Sequence, residues 1–328
     1  MKYNHKGFTL IELMIALTLG LILVAVAVQL VVSSQVNYRI QQAASAIQDS
    51  GVFSLNAVTK NIRLANHGNG GVMNDETRYG GIVLSSQKPH GSTSGDTKKG
   101  NLSGLSIAST LITSADAVSK NASDNSGFGA LKSDQLVIIY QAPVDMMSCT
   151  GTEAKGSIQT LNSGEGTLTL QKGWYVIERY YLKKNATTGS ADLYCSDAMF
   201  LANGETVVTG FTAAESLTKN YFTNEGQMIA PNVDYMRVQL IIKKSNNITA
   251  TIDVDEYKTL TNDATHARAS VIGINLGWLV RSNETIPNIE SKTYRVLDKT
   301  ISSPADKYMR HVYSTTIALR NGGLGDMN

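Results

Sequence analysis

Near the N-terminus a single carboxylate, Glu12, interrupts an apolar run, and from Leu13 to Tyr38 no side chain carries a charge. An acid inside an apolar, membrane-length segment costs about 2.5–3.5 kcal/mol on insertion scales, so it is by default a functional group. Its natural chemistry is pairing with a cation, because a charged pair is tolerable in a low-dielectric bundle where either lone charge is not. Two thiols, Cys149 and Cys195, are too few for a metal site, and the five histidines are scattered singly. No His or Asp clusters in sequence to recommend either cysteine as a nucleophile. Asp253-Val254-Asp255-Glu256 groups hard oxygen ligands of the kind calcium takes, but lacks the glycine and terminal glutamate of an EF-hand loop. A solvated strand end is the reading adopted there.

Other patterns fall away on spacing. Residues 91–100, GSTSGDTKKG, lack the GxxxxGK[ST] order and follow no strong strand. HExxH, GxSxG, GxGxxG after a strand and paired CxxC are all missing, so an enzyme is not expected, nor a cofactor or metal. Lys98-Lys99 and Lys183-Lys184 offer charge to DNA phosphates, but small clusters of this kind usually serve solubility. Asn101 and Asn247 open Asn-x-Ser/Thr triplets of a sort expected by chance in an Asn- and Thr-rich chain.

Composition sets the frame for these residues. Of 328 residues 42% are hydrophobic and 17% charged, against roughly 25% charged in ordinary soluble domains, which excludes a disordered tail protein. Lys plus Arg is 29 and Asp plus Glu 27, a balance that argues against nucleic-acid binding by bulk charge. Five prolines without a G-X-Y period exclude collagen-like architecture, and 28 glycines among many Ser, Thr and Asn point to a loop-rich β protein.

The element that must carry Glu12 is a helix. About 20 apolar residues span a bilayer, and lipid offers backbone groups no partner outside a helix. Lys2, His5 and Lys6 precede the run and Arg39 follows it, which places the N-terminus in the cytoplasm and exports the remainder. A cleaved secretory signal, with Ala25-Val26-Ala27 as its site, and a plain membrane anchor are the competing readings. Neither accounts for Glu12. Further on, Val36, Ile40, Ala44, Ile47, Gly51, Leu55, Val58, Ile62 and Ala65 recur in steps of three and four, one face of a continuing helix. Gly68, followed by breaker-rich sequence, is placed to stop it.

From Gly68 to Gly129 the composition reads as surface loops with a few short strands. Strand patterns then dominate: Gln135–Gln141, Trp174–Leu182, Tyr235–Lys243, Ile248–Val254, Val271–Val280 and His311–Leu319. Residues 244–247 read as a hairpin connection and Asp263–Ser270 as a short helix. Without βαβ alternation the class is α+β: a long N-terminal helix, transmembrane then amphipathic, packed on a large antiparallel sheet head.

Lys6-Gly7-Phe8-Thr9-Leu10-Ile11-Glu12-Leu13 resembles the class III signal of type IV prepilins. The resemblance implies that a prepilin peptidase cuts between Gly7 and Phe8 and methylates Phe8. It also implies that Glu12 neutralises a neighbouring subunit's N-terminal amine and so registers subunits. Four segments follow: a leader at 1–7, a membrane and filament-core helix at 8–32, its amphipathic continuation at 33–66, and a periplasmic β-rich head at 67–328. Loss of the leader leaves 27 basic and 27 acidic side chains. The runs QLVIIYQAPVDMMSC, VIERYYL, LYC and RHVYSTTIALRN look like the PilW group of minor pilins. One departure is Gln29, where many major pilins have a helix-kinking proline.

That resemblance implies a precursor in the inner membrane and, after assembly, a place in the pilus, at its tip. Its partners would be other minor pilins, the major pilin, a tip adhesin and the assembly platform, and the pili would serve twitching motility, adhesion or DNA uptake. A J-type pseudopilin of type II secretion shares the N-terminal motif, and a membrane-anchored periplasmic binding protein is the third reading. Whether the head binds DNA, a surface or calcium stays open at this point. Both cysteines lie on the exported side, where an oxidising periplasm lets Cys149 and Cys195 pair.

Overall fold

The computed structural model describes residues 7–320 apart from 93–95, 108–109, 112, 114, 126–130, 163–165, 172, 186–188, 201, 204–205, 208–225, 245–247, 261–267 and 288. Helix α1, Leu10–Gln48, passes through a π-helical segment, Asp49–Phe53, into α2, Ser54–Ile62. Leu, Ile, Val and Ala surround its lower half on all sides, and no proline breaks it, Gln29 being mid-helix. The helix is long and apolar enough to cross a membrane. It ends near Ile62 because Asn66 takes a left-handed conformation, φ 68°, before Gly68, φ 83°.

The upper half buries one stripe, which runs through the π segment. Ala43, Ile47 and Gly51 are buried before or within it, and Ser54, Val58, Ile62 and Ala65 after it, while Phe53 is 71% exposed. Ala43, not the expected Ala44, faces the sheet, lying beside Asn283–Thr285. Ile47, Gly51, Val58, Ile62 and Ala65 of the expected stripe are buried before, within and after the π segment, so the face continues through it. At Gly51 the helix lies tight against β11: a Cβ there would stand 2.1 Å from the Tyr313 ring.

The head has two principal antiparallel sheets. The first contains β1 (Lys120–Asn125), β2 (Lys132–Gln141), β3 (Tyr175–Lys184), β4 (Ala191–Phe200) and β5 (Gln227–Ala230), in the order β5-β4-β3-β2-β1. The second contains β6 (Val233–Lys243), β7 (Thr249–Asp253), β8 (Ser270–Thr285) and β11 (Tyr308–Ala318), in the order β7-β6-β8-β11. Between β8 and β11 runs a hairpin, β9 (Thr293–Val296) and β10 (Lys299–Ser302). Alternation on β8 divides its faces: Ile274, Leu276, Trp278 and Val280 join the core that α2 enters. Leu279 instead meets Val296 and Ile301 of the hairpin.

The two sheets share that core and are pinned where β6 passes β2. Asp134 of β2 accepts the Val238 N–H at 2.8 Å and pairs with Arg237 at 3.1 Å. Arg237 also holds Asp253 at the end of β7 and Asp298 in the hairpin turn. Burial alone would raise the Asp298 carboxyl, but Arg237 holds it below its usual range.

Residues 68–107 are more than surface loop. Val83, Leu102, Leu105 and Tyr79 cover the outer face of the first sheet, against Val137, Ile139, Ile177 and Phe200. Asn101 is the knot of that cover. Its Oδ1 accepts the N–H groups of Leu84 and Ser85, and its Nδ2 donates to the carbonyls of Asn74 and Thr77. It is fully buried, so the triplet it opens is structural. The expected short helix at Asp263–Ser270 falls mostly outside the described residues, and Ser270 begins β8. A short helix, α3 (Val254–Thr259), directly follows β7.

Candidate functional site

The N-terminal end of α1 stands free of the head. Gly7 has no atom within 4 Å of a would-be Cβ, and Phe8 is 90% exposed. Thr9 caps the helix, and Glu12 is its third residue. The Glu12 carboxylate accepts from the Thr9 N–H and the Thr9 hydroxyl, each at 3.0 Å, while the Glu12 N–H donates to Thr9 Oγ1 at 3.3 Å. This capping box satisfies donors that a helix start leaves without intrahelical partners. It also holds the acid within a turn of Phe8, where cleavage after Gly7 would create an amine. From Leu10 to Val32 every side chain is exposed, so the lower helix has no apolar partner in its own chain.

The upper end of the helix system meets a second carboxylate. Glu178, on β3, has no accessible surface. Its Oε1 accepts from Asn61 Nδ2 at 3.1 Å, Tyr140 OH at 3.0 Å and the Cys149 N–H at 2.7 Å, and its Oε2 from Tyr180 OH at 2.6 Å. Among the described residues no Lys or Arg pairs with it. Burial pushes its carboxyl above the ordinary range and likewise raises the Tyr140 and Tyr180 hydroxyls, which therefore stay protonated donors. The cluster joins α2, β2, β3 and the loop after β2 at one point.

Beside it the structure joins Cys149 to Cys195, with Cα atoms 6.2 Å apart. Ser148 donates to Asp197 at 2.6 Å, so two adjacent residues of the loop are tied to residues two apart on β4. In the first sheet Asp197 lies opposite Glu178.

The remaining candidates are absorbed by the fold. Asp253 is paired with Arg237 and Asp255 with Lys258, so both aspartates of the acidic run already have a cation. Lys98 pairs with Glu76 at 2.9 Å, and the Lys183 ammonium lies 5.3 Å from the Tyr194 ring centre. Among the described residues no three His, Cys, Asp or Glu side chains gather as a metal cage.

Residues 2–28 match the prokaryotic N-terminal methylation motif, and residues 179–321 match the family model of the Type IV Pilus-assembly protein W. Together these two matches support a PilW-like type IV pilin. The PilW match begins beside Glu178 and takes in β4 to β11, so it covers the second sheet and Cys195 but not Cys149. A type IV-like pilin from Thermus thermophilus is similar in structure at a TM-score of 0.37 and 8% identity, covering 83% of this chain and 93% of that one. A likeness at that level carries no weight for function. No curated protein matches the chain.

The matched family models are those of structural pilins rather than enzymes, and the fold is α+β. The motif and the free apolar helix support membrane anchoring and association with a pilus. Glu12 announces itself in sequence, because its partner is three residues away and its surroundings are uniformly apolar. Glu178 does not: VIERYYL reads as an ordinary strand, and its partners at 61, 140 and 149 come from three other elements. The clue available was an acid flanked on a strongly apolar strand, but many such acids face solvent.

Proposed function

We propose that this chain is a minor pilin, cut between Gly7 and Phe8 by a prepilin peptidase, methylated on Phe8, and used to prime type IV pilus assembly with other minor pilins at the tip. The observation that supports it is the lower helix: capped, apolar on all sides, exposed throughout and carrying one acid. Such a surface lacks a partner within the chain and suits a lipid bilayer first and a helical bundle afterwards. In lipid the acid is held by Thr9. In the bundle it exchanges that local pair for the Phe8 amine of a neighbour and fixes the step between subunits, an exchange of one satisfied state for another. The head stays on the periplasmic side and recruits the remaining partners, a tip adhesin among them.

Glu12→Leu tests the exchange. Membrane insertion and cleavage after Gly7 continue in the variant, since the changed residue lies beyond the scissile bond, while incorporation into pili and pilus number fall. Normal incorporation would show that the head alone recruits the subunit. The shared N-terminal motif leaves a J-type pseudopilin as the second reading. Deletion of the gene separates the two by whether pilus production or protein secretion fails.

A further inference from the structure

A groove of about 680 Å³ runs beside α2, on the head's surface and away from the apolar lower helix. One wall is a helical face. Asn56, Thr59, Lys60 and Arg63 recur at the three- and four-residue spacing that aligns side chains. The opposite wall is the loop leaving β2, where Val144 and Met147 are 64% and 61% exposed. Arg320, two residues beyond β11, also lines it.

Three features mark this groove as built for a partner. Lys60, Arg63 and Arg320 are all exposed, and among the described residues none of them has an ion-pair partner. The groove's acid, Asp145, is already engaged by Lys155 at 3.1 Å and by the Gly156 N–H at 2.9 Å, so it does not neutralise them. Thr59, nine-tenths buried on the helical wall, has a hydroxyl without a hydrogen-bond partner. Meanwhile the apolar wall is held in place. Cys149 and Ser148 fasten its end to the first sheet, and Gly156 packs so closely that a Cβ there would lie 2.3 Å from the Val144 backbone. A rigid wall loses little entropy on binding.

We propose that this groove docks an acidic segment of another protein subunit, its carboxylates meeting Lys60, Arg63 and Arg320 and an apolar side chain seated on Val144 and Met147. The charge is complementary to acid, and the exposed valine and methionine favour a polypeptide over a phosphate backbone, whose sites are more polar and more strongly cationic. The proposal concerns the head alone and needs neither cleavage after Gly7 nor a filament, so it stands or falls apart from the assembly role.

The test uses the full chain in detergent micelles and fluorescence anisotropy. The probes are a labelled ten-residue peptide alternating Glu with Leu and its Lys–Leu counterpart, each corrected for binding to empty micelles. The wild-type chain should bind the acidic peptide about tenfold more tightly, and raised salt should erode the difference. Lys60→Glu with Arg63→Glu should reverse the preference. Val144→Ser with Met147→Ser should weaken both peptides and keep the preference. All four positions are exposed, so melting temperatures should match wild type and report intact folding. No binding, equal binding of the two peptides, or an unchanged preference after charge reversal overturns the proposal. So does displacement of the acidic peptide by an equal charge concentration of duplex DNA, which would assign the groove to nucleic acid.

Discussion

Glu12 and Glu178 are carboxylates at the two ends of one helix system, and among the described residues neither has a cation beside it. Glu12 is exposed, its acceptor capacity met by Thr9 alone, and everything around it faces outward. Glu178 is sealed, with four donors drawn from α2, β2, β3 and the disulfide loop. The first arrangement is easily exchanged for an intermolecular one, since little is lost by turning a side chain from its own cap. The second cannot change partners without opening the head. A buried acid of this kind specifies how a helix docks; an exposed acid in an apolar helix specifies what the helix is still to meet.

Breaking the sealed end should cost most. Cys149→Ser removes the cross-link across a sequence separation of 46 residues and should lower head stability by about 4 kcal/mol in the chain-entropy account. Thermal melting under non-reducing conditions measures it, with Glu12→Leu as the control that leaves the head transition unmoved. Unchanged melting of the serine variant would remove the disulfide as a brace. Next comes Glu178→Leu, which strands two tyrosine hydroxyls, an amide and a backbone N–H and should cost about 3 kcal/mol. If Glu12→Leu destabilised the head as much, the contrast between the two ends would collapse.

Gly51→Val should cost about 1–3 kcal/mol, because the side chain must displace the Tyr313 ring where the helix meets β11. Restoration by the double variant Gly51→Val with Tyr313→Ala would identify that contact as the cause. The smallest effect is one of pH. Burial holds folded Glu178 above the ordinary glutamate value of about 4.3, so the folded head keeps a proton that the unfolded chain has released. Stability from this group is therefore greatest in acid and declines as pH rises through the folded pKa. Glu178→Gln imitates the protonated form. Its melting temperature should gain on wild type as pH rises from about 4, the ordinary glutamate range, through the folded pKa. A constant difference across that range would mean that Glu178 does not change protonation there.

Legibility in the sequence followed the range of the interactions. The long helix, six strand segments and the α+β class rest on periodicities within one element, and β2, β3, β6, β7, β8 and β11 lie where those segments do. β4 was visible only as LYC, because Asp192, Ser196 and Asp197 are buried in it and spoil the alternation. The role of residues 68–107 was hidden for a related reason: Asn101 organises that cover through backbone groups 16 to 27 residues away, while composition records only polar residues. That Ala43 rather than Ala44 is buried, beside the end of β8, is likewise a tertiary matter. Glu12 was legible because its meaning is local, and Glu178 was not because its meaning is tertiary.

The central claim is that the free helix is made for assembly after cleavage, and the N-terminal peptide of the protein recovered from membranes and sheared pili tests it most directly. Mass spectrometry should find a chain beginning with N-methyl-Phe8, and Gly7→Val, which crowds the position before the scissile bond, should leave the precursor uncut. A mature chain beginning at Val28 would contradict the account, since Glu12 would then be discarded with a secretory signal and the helix would never reach a filament.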